Sequence, residues 1–256
     1  MTHLAPFWRY YGGKNRAARL YPQPEHDTII EPFAGAAGYS CRYPDRKVIL
    51  VDKYPVVVGV WRYLIATPAA EIRALPDLPE SGEVEDLPAS LPEEARWLIG
   101  LRVQDGRETP RSKASSMHHD RVMRGILGGW HHVTRESIAS QVDQIRHWQV
   151  IEGDYRDAPD IEATWHVDPP YNNRAGRCYP HQPDDFAALG EWCRARRGLV
   201  MVCENAGADW LPFEPLRAIR STQTSRTGRR SVEVIWLNRP PRFWGGVQTG
   251  IFRGGL

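Results

Sequence analysis

The sequence predicts an α/β protein: a Rossmann-like, doubly wound, mainly parallel sheet that carries a helical insertion. Strand-like and helix-like stretches alternate from residue 28 to 66 and again from 148 onward, the pattern of a parallel sheet covered on both faces. Between them the texture changes to proline-rich and acidic, then helical. The 256 residues suffice for one large α/β domain with such an insertion.

The elements follow in order. "DTIIEPFAGAAGYS" reads as a strand over 28–31, a glycine-rich turn and a helix start. "RKVILVDKYP" is a buried strand ending at Asp52. "PVVVGVWRYLIAT" fits helix or strand by periodicity, and its length and position favour helix. "LPDLPESGEVEDLPASLP", residues 75–92, is a linker at the start of the insertion. Residues 93–103 and 136–147 are expected to be helical, with a basic, histidine-rich segment between them. Then come the strands "WQVIEG" and "TWHVD", the helix "DDFAALGEWCRARR", and the strands "GLVMVCE" and "SVEVIWLN". This divides the chain into an α/β domain, residues 1–66 and 148–256, and a helical insertion, 67–147.

Hydrophobic residues at 41% and charged residues at 25% are globular proportions and exclude a disordered chain. The net charge of +2 means that a nucleic-acid surface must come from local clustering. The four cysteines, Cys41, Cys178, Cys193 and Cys203, have no metal-finger spacing and read as reduced thiols. No apolar run approaches membrane-spanning length and the N-terminus lacks a signal core, so a soluble cytoplasmic protein is expected.

Ligands of doubly wound sheets sit at the carboxyl ends of the strands, where the first turn must let backbone approach. Phe33, Gly35 and Gly38 lie in such a turn, and Asp52 closes the next strand 17 positions after Gly35. An acid there can accept both ribose hydroxyls of an adenosine-type cofactor; a tight turn with a chance strand-end Asp is the plain alternative. The turn is not GxGxxG, which argues against a dinucleotide. In "WHVDPPYNN" a strand ends in Asp168 and two prolines that fix the backbone before Tyr171.

Taken in order, "YYGGK", "EPFAGAAG", "VDKYP", "EGDY" and "DPPY" resemble the Dam-like DNA adenine-N6 methyltransferases. The resemblance covers residues 7–66 and about 148–240. It implies an S-adenosylmethionine enzyme that acts on an adenine flipped out of double-stranded DNA. By it, Asp168 and the Pro169 carbonyl would accept hydrogen bonds from the adenine amine, Pro170 would stiffen the loop, and Tyr171 would stack on the base. Asp52 would hold the cofactor ribose and Asp154 its adenine amine, with Tyr155 packing nearby. Phe33 and Gly35 would line the methionine portion. Tyr11 and Lys14 would close the pocket, Lys14 near the cofactor carboxylate or a DNA phosphate. Three departures stand out: Ala37 takes the place of the family's second glycine, Tyr54 follows Asp52 where asparagine is common, and Glu204 stands where a serine-asparagine pair is frequent.

Two stretches are locally basic, as phosphate-contacting surfaces should be. From Arg107 to Arg135 there are six Lys/Arg against two acids, and from Arg217 to Arg242 seven Arg against one. Arg111, Lys113, His118, His119, Arg121 and Arg124 of the insertion, Arg174 after the catalytic Tyr, and Arg226, Arg229 and Arg230 of "TSRTGRRS" are the candidate DNA contacts. The HH pairs lack a nearby Cys or clear carboxylate partner for a metal, and no metal is expected. Competing readings are a cytosine-N4 or RNA methyltransferase of the same fold, and a catalytically silent DNA-binding relative. No nuclease motif appears in the chain, so a restriction endonuclease partner would be a separate protein.

Overall fold

The computed structural model describes residues 3–104, 107–124, 129–174, 176–216 and 232–244. Within them seven strands form one sheet: β1 (Thr28–Glu31), β2 (Lys47–Asp52), β3 (Gln149–Glu152), β4 (Ala163–Val167), β5 (Gly198–Asn205), β6 (Glu214–Pro215) and β7 (Glu233–Leu237). Their order across the sheet is β3-β2-β1-β4-β5-β7-β6. The five strands from β3 to β5 in that order run parallel, while β7 is antiparallel to both β5 and β6.

Alternation along the strands divides the core in two. Ile29, Val48, Leu50, Leu199 and Met201 face one apolar cluster, shared with Val57, Trp61 and Leu64 of helix α1 (Pro55–Ala66). Ile30, Ile49, Val51, Val200 and Val202 face a second cluster. Periodicity alone left α1 open between helix and strand, and the helix favoured by its length and position is what forms. Pro55 opens it at the position where a missing N–H costs nothing, and one apolar side covers the sheet. β4 is asymmetric. Ala163, Trp165 and Val167 join the second cluster, whereas Thr164 and His166, on the other face, are polar and buried. Asp168 is next in that polar series.

The insertion contributes α2 (Ala69–Ala74), α3 (Glu93–Arg102), α4 (Ser116–Met123) and α5 (His132–Ala139). Ile72, Leu98, Leu101, Trp130 and Ile138 share one cluster with Trp61 of α1, so these helices pack onto the sheet's own core. Glu93 and Glu94 in the first turn of α3 and Arg102 in its last suit the helix dipole. α6 (Phe186–Arg194) brings Leu189 and Cys193 to the second cluster, and Asp185 caps it by accepting from the N–H groups of Ala187 and Ala188 at 2.8 and 3.1 Å.

Two expected helices differ. The helix expected over 136–147 is α5 followed by a separate 3₁₀ turn, Val142–Ile145. The break falls at Gln141, whose side chain accepts from the Ala5 N–H at 2.9 Å and donates to the Ala5 carbonyl at 3.0 Å. The helix expected after the glycine turn is only a 3₁₀ turn, Ser40–Arg42. Pro44 follows closely, with no N–H to extend it. Among the described residues no helix is long and apolar enough to cross a membrane.

Candidate active site

The carboxyl ends of four parallel strands open into one cleft enclosing about 780 Å³, part of it open to solvent. It is lined by residues 31–36 after β1, 52–54 after β2, 153–155 after β3, and His166, Asp168 and Pro170 of β4 and its loop. Residues 10–14 and 179–182 complete the wall. Segments separated by up to 172 positions in the chain (Tyr10 to Gln182) thus meet at the edge of the sheet where the parallel strands end.

The turn after β1 is built around backbone. Gly35 has φ +43°, its N–H donates to Asp52 Oδ2 at 2.9 Å, and its carbonyl accepts from Trp61 Nε1 at 2.8 Å. A Cβ there would press on the Tyr10 ring at 3.1 Å. Ala37, also in the left-handed region at φ +46°, is fully buried in the main core and off the cleft wall. Its methyl group therefore does not narrow the pocket. Gly38 lines the cleft instead, and a Cβ there would meet the backbone nitrogens of Asn15 and Lys14 at 2.9 and 3.0 Å. Neither neighbour is a flexible side chain. Gly38→Ala is therefore expected to destabilise the protein by about 1–3 kcal/mol by displacing the YYGGK segment, which thermal unfolding reads directly.

Asp52 receives two backbone hydrogen bonds, Gly35 N–H on Oδ2 and Tyr54 N–H on Oδ1 at 2.9 Å. Burial pushes its pKa up, and these two bonds act against that rise. Each oxygen keeps a further lone pair, so the turn-holding role and ribose acceptance are compatible. Asp154 caps the following 3₁₀ turn. Its Oδ1 accepts from Arg156 Nη1 at 2.9 Å, and Lys53 Nζ lies 3.8 Å from its Oδ2. Tyr155 stacks on Phe33, ring centroids 5.7 Å apart.

Lys14 lies where the sequence did not put it. Its Nζ stands 2.7 Å from Asp168 Oδ1 and 4.8 Å from the centre of the Tyr171 ring, and it donates to the Gly12 carbonyl at 3.0 Å. The side chain is 7% exposed against 18% for Asp168. Burial opposes the Lys14 charge, but Asp168 first and Tyr171 and Glu233 after it outweigh burial and hold its pKa well above the ordinary lysine value. The contact is an ion pair rather than an aligned hydrogen bond, because buried Asp168 Oδ1 has no partner of hydrogen-bonding geometry. Tyr171 is half-buried against the main core and does not line the cleft. Its ring faces Lys14 in this conformation, where the family resemblance implied stacking on a base.

Glu204 explains its departure from the family pair. It is buried on β5, and its Oε2 accepts from the Asn172 N–H at 3.0 Å and from Trp210 Nε1 at 3.3 Å. It thereby fixes the backbone just after Tyr171. His166 was passed over in the sequence. Its Nδ1 lies 3.1 Å from Glu31 Oε2, both side chains are almost fully buried, and Tyr39 stacks on its ring at 4.9 Å. A polar residue two positions before Asp168 in an apolar strand was the available signal.

The candidate DNA contacts scatter. Lys113 pairs with Glu83 at 2.6 Å and Arg124 with Asp120 at 2.8 Å, both on the surface. His119 and Arg174 are exposed and Arg111 is half-buried. His118 is turned inward: it is 4% exposed, and its Nδ1 accepts the Trp130 N–H at 3.1 Å. It holds the insertion together and presents no edge to a ligand, because the Ser115 cap starts α4 with that side facing the core. The side chain of Arg121, and Arg226, Arg229 and Arg230 altogether, lie outside the described residues.

No protein-family model matches the chain, and no curated protein matches it. Fold and site together define an α/β protein with a carboxylate-lined cleft at the ends of its parallel strands.

Proposed function

We propose that the protein is an S-adenosylmethionine-dependent DNA methyltransferase that modifies the N6 amine of adenine. The observation that carries the reading is the convergence of all five motifs on one cleft: Lys14, Phe33 and Gly35, Asp52, Asp154, and Asp168 all line it. The strand order β3-β2-β1-β4-β5 is that of doubly wound nucleotide-binding sheets, with the reversal between β1 and β4 at the cleft. This supports the Rossmann-like reading.

The residues present suit the cofactor. Asp52 offers acceptors for ribose hydroxyls, Phe33 and Tyr155 offer apolar faces, and the open backbone at Gly35 admits close approach. When bound, S-adenosylmethionine supplies a methyl group on a sulfonium, which a nitrogen lone pair can displace directly. Asp168 and the Pro169 carbonyl supply two acceptors for the exocyclic amine, drawing its lone pair out of conjugation with the ring. Pro169 and Pro170 keep that carbonyl still, and the Glu204 bond to Asn172 N–H anchors the far side of the loop. Asp168 is also the nearest acceptor for the proton that the amine gives up. Double-stranded DNA would be held through its phosphates by exposed basic residues of the insertion; the arginines of residues 226–230 are candidates by sequence alone.

Asp52→Ala tests the cofactor half of the reading. It removes the ribose acceptor and is expected to weaken S-adenosylmethionine binding by about tenfold or more in calorimetry. Equal affinity in wild type and variant would take Asp52 out of the site.

A further inference from the structure

The cleft has a roof that none of the five motifs accounts for. Tyr179, Pro180, His181 and Gln182 line the same cavity as Asp52 and Tyr54. The Tyr179 hydroxyl donates to the Tyr11 carbonyl at 2.6 Å, and its ring lies 6.0 Å from that of Tyr10. Gly12, at φ +68°, makes this seat possible, since a Cβ there would stand 2.6 Å from the Tyr179 hydroxyl oxygen. At the other end the His181 ring packs 6.0 Å from the Tyr54 ring, and the Tyr54 N–H holds Asp52. The segment therefore bridges the cleft from the glycine pair on one rim to the Asp52 corner on the other.

We propose that Gly176–Gln182 is a cofactor-seated roof, and that His181 is a cofactor-contacting residue above the ribose corner of Asp52. The inference rests on the methyltransferase reading. Asp52 can only accept hydrogen bonds when ionised, so a hydroxyl-rich ligand bound there gains from a nearby group that can donate. An imidazole supplies an N–H and an apolar face together. The roof is seated at both rims in this structure, on Tyr11 and on Tyr54, while His181 is exposed and lines the cavity, so a ligand in the Asp52 corner meets its ring directly.

His181 lines the cavity and is exposed, so its carbethoxylation by diethylpyrocarbonate, read at that residue in the intact protein, reports on contact with the ligand. S-adenosylmethionine is expected to slow modification of His181 severalfold in wild type. His181→Ala, an exposed substitution that spares the core, is expected to weaken S-adenosylmethionine binding by about five- to tenfold, the loss of one hydrogen bond with its ring contact. Wild type that binds S-adenosylmethionine without protecting His181, or His181→Ala within about twofold of wild-type affinity, overturns the proposal and leaves the methyltransferase reading standing. Wild type that binds no S-adenosylmethionine overturns both.

Discussion

Asp168→Asn is expected to lower the rate of methyl transfer by about two to three orders of magnitude, the usual loss for one preorganised electrostatic group. Cofactor binding should survive, because the proposed role of Asp168 is toward the base and that of Asp52 toward the ribose. The amide cannot reproduce the effect. One of its two positions becomes a donor aimed at an amine that also donates, and the charge that draws on the amine is gone. Single-turnover transfer to duplex DNA, with S-adenosylmethionine binding measured on the same preparation, separates the two contributions. A variant within about tenfold of wild type would place activation of the amine elsewhere in the cleft.

Breaking the Lys14–Asp168 pair from one side is expected to cost about 3 kcal/mol of stability, the low end for a buried ion pair because Asp168 is 18% exposed. Asp168→Ala should cost more than Lys14→Met. The first strands an ammonium that is 7% exposed, whereas the second leaves a carboxylate that opens to the cleft and can hydrate. The double variant should lose less than the sum of the two, since neither charge is then left alone. A protein of this size should show the loss as a fall of about 6–12 °C in Tm for either single variant. The sign with pH follows from the raised Lys14 pKa. The contribution is fully present below the ordinary lysine value near 10.5 and is lost only as pH rises through the higher folded value. Additive losses in the double variant, or a pair contribution that disappears already at neutral pH, would contradict the ion pair as described. The assay of Asp168→Asn accordingly belongs well below its melting temperature.

Strand ends were more legible in the sequence than helix ends. Asp52 follows the apolar run Val48–Val51 and Asp168 follows the β-prone, fully buried stretch Ala163–Val167, and a charged residue directly after such a stretch marks its exit from the core. The α1 segment was ambiguous because a strand buried on both faces and a buried helix have the same composition; Pro55 and the twelve-residue length decided it. The break at Gln141 was invisible, because its partner is the backbone of Ala5, 136 positions away. The Lys14 contact with Asp168 was invisible for a related reason. A lysine after two glycines reads as a solvated tip, and only the folding of residues 10–14 back over β4 buries it against Asp168. His118 and the adjacent His119 look alike in sequence, and only the phase of α4 separates the buried ring from the exposed one. The roof of Tyr179 and His181 carried no motif at all. Its signal was physical, a Gly12 whose missing side chain makes room for a tyrosine 167 positions later.

The central claim, methyl transfer to adenine N6, is tested most directly by incubating the intact protein with duplex DNA and S-adenosylmethionine carrying an isotopic label on the methyl group. The DNA is then digested to nucleosides and the labelled product identified. The label is expected in N6-methyldeoxyadenosine, and its initial rate of appearance is expected to fall by about two to three orders of magnitude with Asp168→Asn. Label in N4-methyldeoxycytidine would contradict the adenine assignment, and unlabelled DNA across sequences that contain every short motif would contradict methyl transfer itself.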